Sequence, residues 1–307
     1  MKVRVVSYIA VFIGVFSLST SAVFVRLADA PSAITAFYRL FFTVLMLFPF
    51  LAFNKKNRDE LISLSKKEWL LGILSGVFLA LHYVLWFESL RYTSVASSTV
   101  IVTLQPLFSI AGGFFLFKER ISKKALFGCF IAIIGCMIIG WGDLQVSKQA
   151  LFGDLLAFVA AGIITAYFFM GQYLRKSLSV VPYSMLGYAS SAFFLAIYAY
   201  SQHVPFLDYS TQTWKMFIAL AFVATILGQF IFNWLLKWLS TTVISMSIMG
   251  ETIGASFLSY IVLKEAISLQ QGVGIVTILI GIATFLLNAT TQEESCEVAP
   301  TVELNTT

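Results

Sequence analysis

With 307 residues, of which 59% are hydrophobic and 11% charged, and a mean hydropathy of +0.89, the chain is too apolar for a soluble domain, which typically carries ~25% charged residues. It reads as an all-α integral membrane protein. The net charge of +5 falls in short segments between apolar runs and forms no continuous face, so it bears on topology and no nucleic-acid partner is expected.

Apolar runs bounded by charged breaks predict ten spanning helices, at Val5–Val25, Ser32–Phe53, Trp69–Leu90, Thr93–Phe117, Ala125–Trp141, Leu151–Leu174, Pro182–Tyr200, Trp214–Leu236, Ser240–Leu263 and Leu269–Leu287. Each is near the ~20 residues that cross a bilayer. The first run, after Lys2 and Arg4, also fits a signal peptide cleaved after Ala22, but it continues apolar to Val25 and is simpler as an uncleaved helix. Trp69, Trp141, Trp214 and Trp238 stand at helix ends, as interfacial anchors do. Cys129 and Cys136 lie ~10 Å apart along the fifth helix, too far to bridge. Cys296 sits in a polar tail, so no disulfide, metal or cofactor is indicated. The tail, residues 289–307, carries Glu293, Glu294, Glu297 and Glu303 and is expected to be disordered and cytoplasmic.

Alternating the loops between the two sides places fourteen Lys and Arg with the N-terminus (Lys2, Arg4, five from Lys55 to Lys67, four from Lys118 to Lys124, Arg175, Lys176 and Lys237). Only five, Arg26, Arg91, Lys148, Lys215 and Lys264, fall opposite. A multi-pass protein of the inner or plasma membrane with both termini cytoplasmic is expected.

A shift of 146 positions lays Ser94 on Ser240, Gln105 on Glu251, Lys118-Glu119 on Lys264-Glu265, Gly128 on Gly274 and Gly135 on Gly281 without a gap. The chain is therefore read as a duplication, residues 1–145 and 146–288. Five helices per unit is an odd number, so the second repeat enters the membrane in the opposite sense to the first, giving an inverted repeat.

Glu251 sits alone in the middle of the ninth apolar run. A carboxylate at that depth costs at least ~2.5 kcal/mol on insertion scales, so it should face a protein interior or a wet cavity. Helical spacing gathers polar stripes that could line one. They are Ser94, Ser98, Gln105 and Ser109 on the fourth helix, and Ser240, Ser247, Glu251 and Gly254 on the ninth. His82 and Trp86 lie on the third, Thr225, Gln229 and Asn233 on the eighth, and Ser17, Ser21 and Phe24 on the first. Small and hydroxyl residues also serve plain helix packing, and His82 is as suited to packing as to cavity lining. Buried amides are costlier without partners. The candidate binding set is Ser17, Ser21, His82, Trp86, Ser98, Gln105, Gln229, Asn233 and Glu251, with Glu251 the candidate coupling residue. Arg39, about seven residues into its helix, lies within snorkelling reach of the surface.

Phe37-Tyr38-Arg39, Leu90-Arg91-Tyr92-Thr93-Ser94, Gln105-Pro106 and Glu119-Arg120-Ile121-Ser122 occur in that order, and Lys237-Trp238-Leu239-Ser240, Gly250-Glu251-Thr252 and Lys264-Glu265 repeat the pattern. Over about residues 5 to 288 this resembles the EamA-type transporters of the drug/metabolite transporter superfamily. The resemblance implies structural or gating roles for Arg39, Glu119 and Glu265. It also implies a Glu-Pro kink in the ninth helix, where this chain has Glu251-Thr252 and only Gly250 and Gly254 to permit bending.

The expected function is a non-enzymatic secondary transporter of a small organic metabolite, an amino acid-like compound or an amphipathic drug, with export the favoured direction. No G-x-x-x-x-G-K-[ST] loop is present to use ATP. The expected partners are the small-molecule substrate and the bilayer, with a gradient of protons or of substrate as the energy source, in a monomer or homodimer. An uncoupled facilitator is the nearest alternative. A polytopic enzyme acting on lipid-linked substrates is disfavoured by short loops without paired acids, and a receptor or scaffold leaves Glu251 without a purpose.

Overall fold

The computed structural model describes the backbone of residues 2–144, 148–264 and 267–297, and among these every regular element is helical. The first half comprises α1 (Lys2–Ala28), α2 (Ser32–Ala52), α3 (Lys55–Ile62), α4 (Lys66–Tyr92), α5 (Val95–Val102), α6 (Gln105–Phe117) and α7 (Lys123–Leu144). The second comprises α8 (Lys148–Leu174), α9 (Val180–Ser201), α10 (Thr211–Ala219), a π segment (Leu220–Gln229), α11 (Phe230–Leu235), α12 (Thr241–Ile248), α13 (Glu251–Leu258), a second π segment (Ser259–Leu263) and α14 (Leu269–Glu297). Nine spans among the described residues are long and apolar enough to cross a membrane. With the 22-residue apolar α7 they form the ten-helix plan.

The duplication is written into the backbone. Ser94 and Ser240 cap α5 and α12, each accepting from the amide three residues on. Lys118 (φ 56°) and Lys264 (φ 59°) close the two broken helices in the left-handed conformation. α5 packs on α13 while α6 packs on α12, so the fourth and ninth spans run antiparallel across each other. The α7–α14 pair shows the same two-fold relation. A Cβ on Gly128 would lie 2.9 Å from the Gly281 carbonyl, and one on Gly135 would lie 2.8 Å from that of Gly274. Each repeat's two glycines thus meet the other repeat's two in reverse order, and small residues there let the backbones touch.

The backbone departs from a plain run of ten regular helices at four places. The fourth and ninth spans are not continuous helices: both break at equivalent positions, Thr103-Leu104 and Met249-Gly250. The loop after the second span holds α3, capped by Asn54. The eighth span is a π-helix over ten residues. The last helix keeps helical backbone to Glu297, into the stretch expected to lack structure.

Candidate functional site

The two breaks place Gln105 and Glu251 as the first residues of α6 and α13, so each half-helix turns its positive end toward the middle of the bundle. Between them lies a cavity of about 30 Å³, room for about one water. Its polar lining is Arg39, His82, Trp86, Gln105, Gln229 and Glu251, completed by Tyr83 and by apolar side chains that include Leu18, Val102 and Phe168.

Arg39 is the main correction to the sequence reading. It is 1% exposed and does not snorkel. Its Nε donates to Thr225 Oγ1 at 2.8 Å and its Nη1 to Ser21 Oγ at 2.7 Å, while the guanidinium lies 4.4 Å from the Tyr83 ring centroid. Oxygens and a ring face on neighbouring helices hold the cation inside the bundle. Glu251, 5% exposed, interacts electrostatically with Arg39 across the cavity. Among the described residues no ion pair joins the two, and no side-chain donor binds the Glu251 carboxylate.

His82 Nδ1 donates to the Ala160 carbonyl at 3.0 Å, which fixes the tautomer and leaves Nε2 an acceptor. Its ring stacks on Trp86, centroids 5.7 Å apart. Four polar groups at the cavity, Tyr83 Oη, Trp86 Nε1, Gln105 Oε1 and Gln229 Nε2, find no hydrogen-bond partner among the described residues. Buried polar groups are nearly always paired, so such a convergence marks a place for a polar ligand.

Four predicted binding residues lie elsewhere. Ser98 bonds Ser89 of α4 at 2.6 Å, because the break between it and Gln105 ends the stripe they were thought to share. Ser21 serves Arg39, and Ser17 is buried away from the cavity. Asn233 Oδ1 accepts from Tyr167 Oη at 2.9 Å, and its Nδ2 faces Tyr188 Oη at 3.0 Å and Ser184 Oγ at 3.1 Å. The eighth-span stripe divides because Asn233 stands one turn beyond Gln229 in α11, among the hydroxyls of Tyr167, Ser184 and Tyr188. Glu119 fastens α6 to its neighbours, accepting from Gln172 Nε2 at 2.9 Å and Thr242 Oγ1 at 2.8 Å. Glu265 lies outside the described residues. Tyr83 went unread although it is the neighbour of His82.

Packed clusters flank the cavity toward both ends of the bundle. On the side away from the N-terminus, Tyr38 packs against Trp214 and Phe217 and donates to the Phe206 carbonyl at 2.7 Å. On the other side stand the Asn233 cluster and Arg175, whose Nε donates to the Asn233 carbonyl at 2.9 Å and whose Nη1 donates to the Leu178 carbonyl. Burial pushes the Arg175 guanidinium down to about 10, still charged at neutral pH.

Ten apolar spans in two inverted halves, packed around a mixed-charge cavity at paired helix breaks, have the architecture of inverted-repeat membrane transporters. The EamA-like transporter family profile matches twice, over residues 5–141 and 151–287, and the chain belongs to that family. It is similar to three Bacillus subtilis (strain 168) proteins named as uncharacterized transporters. It is 25% identical to YyaM over 65% of this chain and 67% of that one, 23% identical to YxxF over 73% and 71%, and 26% identical to YetK over 72% and 68%. A protein of known crystal structure shares the fold at TM-score 0.73 and 17% identity, over 94% of this chain and 98% of its own.

Proposed function

We propose that this EamA-family protein is a proton-coupled secondary exporter of a small, amino acid-like metabolite, working by alternating access with both termini cytoplasmic. One observation carries the reading: Arg39 and Glu251, opposite in kind and not ion-paired, line one small cavity with four polar groups that find no partner among the described residues. Such a cavity suits a solute bearing both an anionic and a cationic group more than a purely cationic amphipath, which Arg39 would repel. The His82–Trp86 stack offers an apolar face. At about 30 Å³ the cavity is far below the ~300 Å³ at which small-molecule sites begin, so loading requires the halves to rock apart, and the breaks beside Gln105 and Glu251 supply hinges. Glu251 responds to whichever side the cavity faces, neutral in one state and charged in another.

The test is transport in proteoliposomes, with the substrate first identified by mass spectrometry from a metabolite mixture. Glu251→Gln keeps shape and hydrogen bonding while removing titration. We expect it to abolish accumulation against a gradient and flatten the pH dependence while leaving substrate exchange intact. Unchanged accumulation with unchanged pH dependence would show that coupling does not run through Glu251, and wild-type protein that never concentrates substrate would establish an uncoupled facilitator.

A further inference from the structure

A second cavity lies outside the transport site, between α6 and α7 on the lipid-facing surface. It is a groove of about 530 Å³, walled by Leu107 and Ile110 of α6 and by Leu126, Phe127 and Phe130 of α7, with Lys123 as its charged member. Leu126, Phe127 and Phe130 are exposed. The groove therefore opens to hydrocarbon along its length and meets a cation where α7 begins.

That end is unusually positive. Lys118, Arg120, Lys123 and Lys124 are all exposed within seven residues. The single acid among them, Glu119, has both carboxylate oxygens engaged by Gln172 and Thr242, which draw it toward α8 and α12. Lys123 and Lys124 occupy the first turn of α7, which holds no acid. Lysines at the positive end of a helix are disfavoured unless an anion joins them. The other repeat supplies a contrast. In that repeat, inverted and so at the opposite membrane face, the positions equivalent to Arg120, Lys123 and Lys124 are Ala266, Leu269 and Gln270, so the helix closure shared by Lys118 and Lys264 does not by itself require the other three basic residues.

We infer that the α6–α7 groove is a binding site for an anionic phospholipid, with an acyl chain along Leu107, Phe127 and Phe130 and the headgroup phosphate at Lys123 and the start of α7. A soluble anion would use the lysines but leave the apolar groove unexplained. A zwitterionic lipid would fill the groove but gain less from the charge. Basic pockets between spanning helices are the usual binding places for anionic headgroups.

The full-length protein, delipidated in detergent, is titrated with phosphatidylglycerol or phosphatidylcholine and bound lipid is read by native mass spectrometry. Phosphatidylglycerol should bind about tenfold more tightly than phosphatidylcholine. Lys123→Gln should weaken phosphatidylglycerol about fivefold, from about 1 kcal/mol per basic residue, and leave phosphatidylcholine unchanged. Leu107→Trp, which fills the groove at an exposed position, should weaken both lipids. Lys215→Gln, on the opposite side of the bundle, should change neither. Equal binding of the two lipids, an undiminished phosphatidylglycerol preference in Lys123→Gln, or full occupancy in Leu107→Trp would overturn the assignment. So would displacement of bound phosphatidylglycerol by millimolar glycerol phosphate, which would mean that the headgroup alone suffices.

Discussion

The two helix breaks are the same structure made from different parts. In the first repeat Gln105 is followed by Pro106, which has no N–H to give the carbonyl four residues back, and the helix must restart there. In the second repeat Thr252 has its N–H, yet gives it to Met249 at 3.2 Å, three residues back, while Gly250 N bonds Ser247 and Ile253 N bonds Gly250. A tight turn replaces the proline, and α1 holds it in place. Ser19 Oγ donates to the Glu251 carbonyl at 3.2 Å, and Val15 lies against Gly250. A break fixed by tertiary contact can thus carry a different residue at its mouth, and the amide of one repeat becomes an acid in the other.

That difference is sharpest in its dependence on Arg39, the cation that lines the cavity. Arg39→Ala removes the charged donor to Ser21 and Thr225, where a hydrogen bond to a charged group is worth ~1.5–3 kcal/mol, and with it the cation that faces Glu251. The same substitution in a Glu251→Gln background should cost clearly less, because an amide needs no counter-charge. Thermal unfolding of the four proteins of this double-mutant cycle measures the coupling. Equal costs in the two backgrounds would mean that Arg39 serves Ser21, Thr225 and Tyr83 alone and that the two repeats' break residues are electrostatically alike.

The supports of the two breaks also exchange volumes. Gly254 meets Ser19 of α1, and an added Cβ would come within 2.2 Å of Ser19 Oγ. Its repeat equivalent is Phe108, which packs on Gly162 of α8, the added Cβ there lying 3.1 Å from the ring. Gly254→Ala should therefore destabilise by ~1–3 kcal/mol through overpacking, and Ser19→Gly should recover part of the loss by removing the atoms it strikes. If Gly254→Ala leaves the melting temperature unchanged, α1 does not clamp the second break and another account of the missing proline is needed.

How far the sequence disclosed this follows from where each fact resides. The duplication was legible because both halves keep the residues that make their ends, Ser94 and Ser240 as caps and Lys118 and Lys264 as closures. The broken fourth span was half visible in Gln105-Pro106. The matching break showed only in Gly250 and Gly254, which permit a bend, because what fixes it is Val15 and Ser19 some 230 positions away. Arg39 was read as reaching outward because one helix shows only its depth. The oxygens that turn it inward belong to Ser21 and Thr225 on two other spans. Gln229 and Asn233 share one face at 3.6 residues per turn, but Asn233 lies a turn further along, where Tyr167, Ser184 and Tyr188 on two other spans claim its amide. Ser98 and Gln105 fell on one stripe because spacing assumes an unbroken helix.

Thr252→Pro makes the second break read like the first and should be the mildest change of all. Thr252 is the second residue of α13, as Pro106 is the second of α6, a position where a helix tolerates proline. Proline disfavours the helical region for the residue before it, but Gln105 is helical ahead of Pro106, so this backbone accepts the pairing. The substitution removes the long N–H bond to Met249 and the Thr252 to Thr103 hydroxyl bond at 3.0 Å. Each is worth ~1 kcal/mol at most, against ~0.4–1 kcal/mol gained by restricting the unfolded chain. A net loss of no more than ~1.6 kcal/mol follows, measured by thermal unfolding, with transport retained because Glu251 keeps its place. A much larger loss would show that the tight turn at Met249 is not the geometry that proline enforces in the first repeat. The two breaks would then be equivalent in position only, and the hinges would not move as a pair.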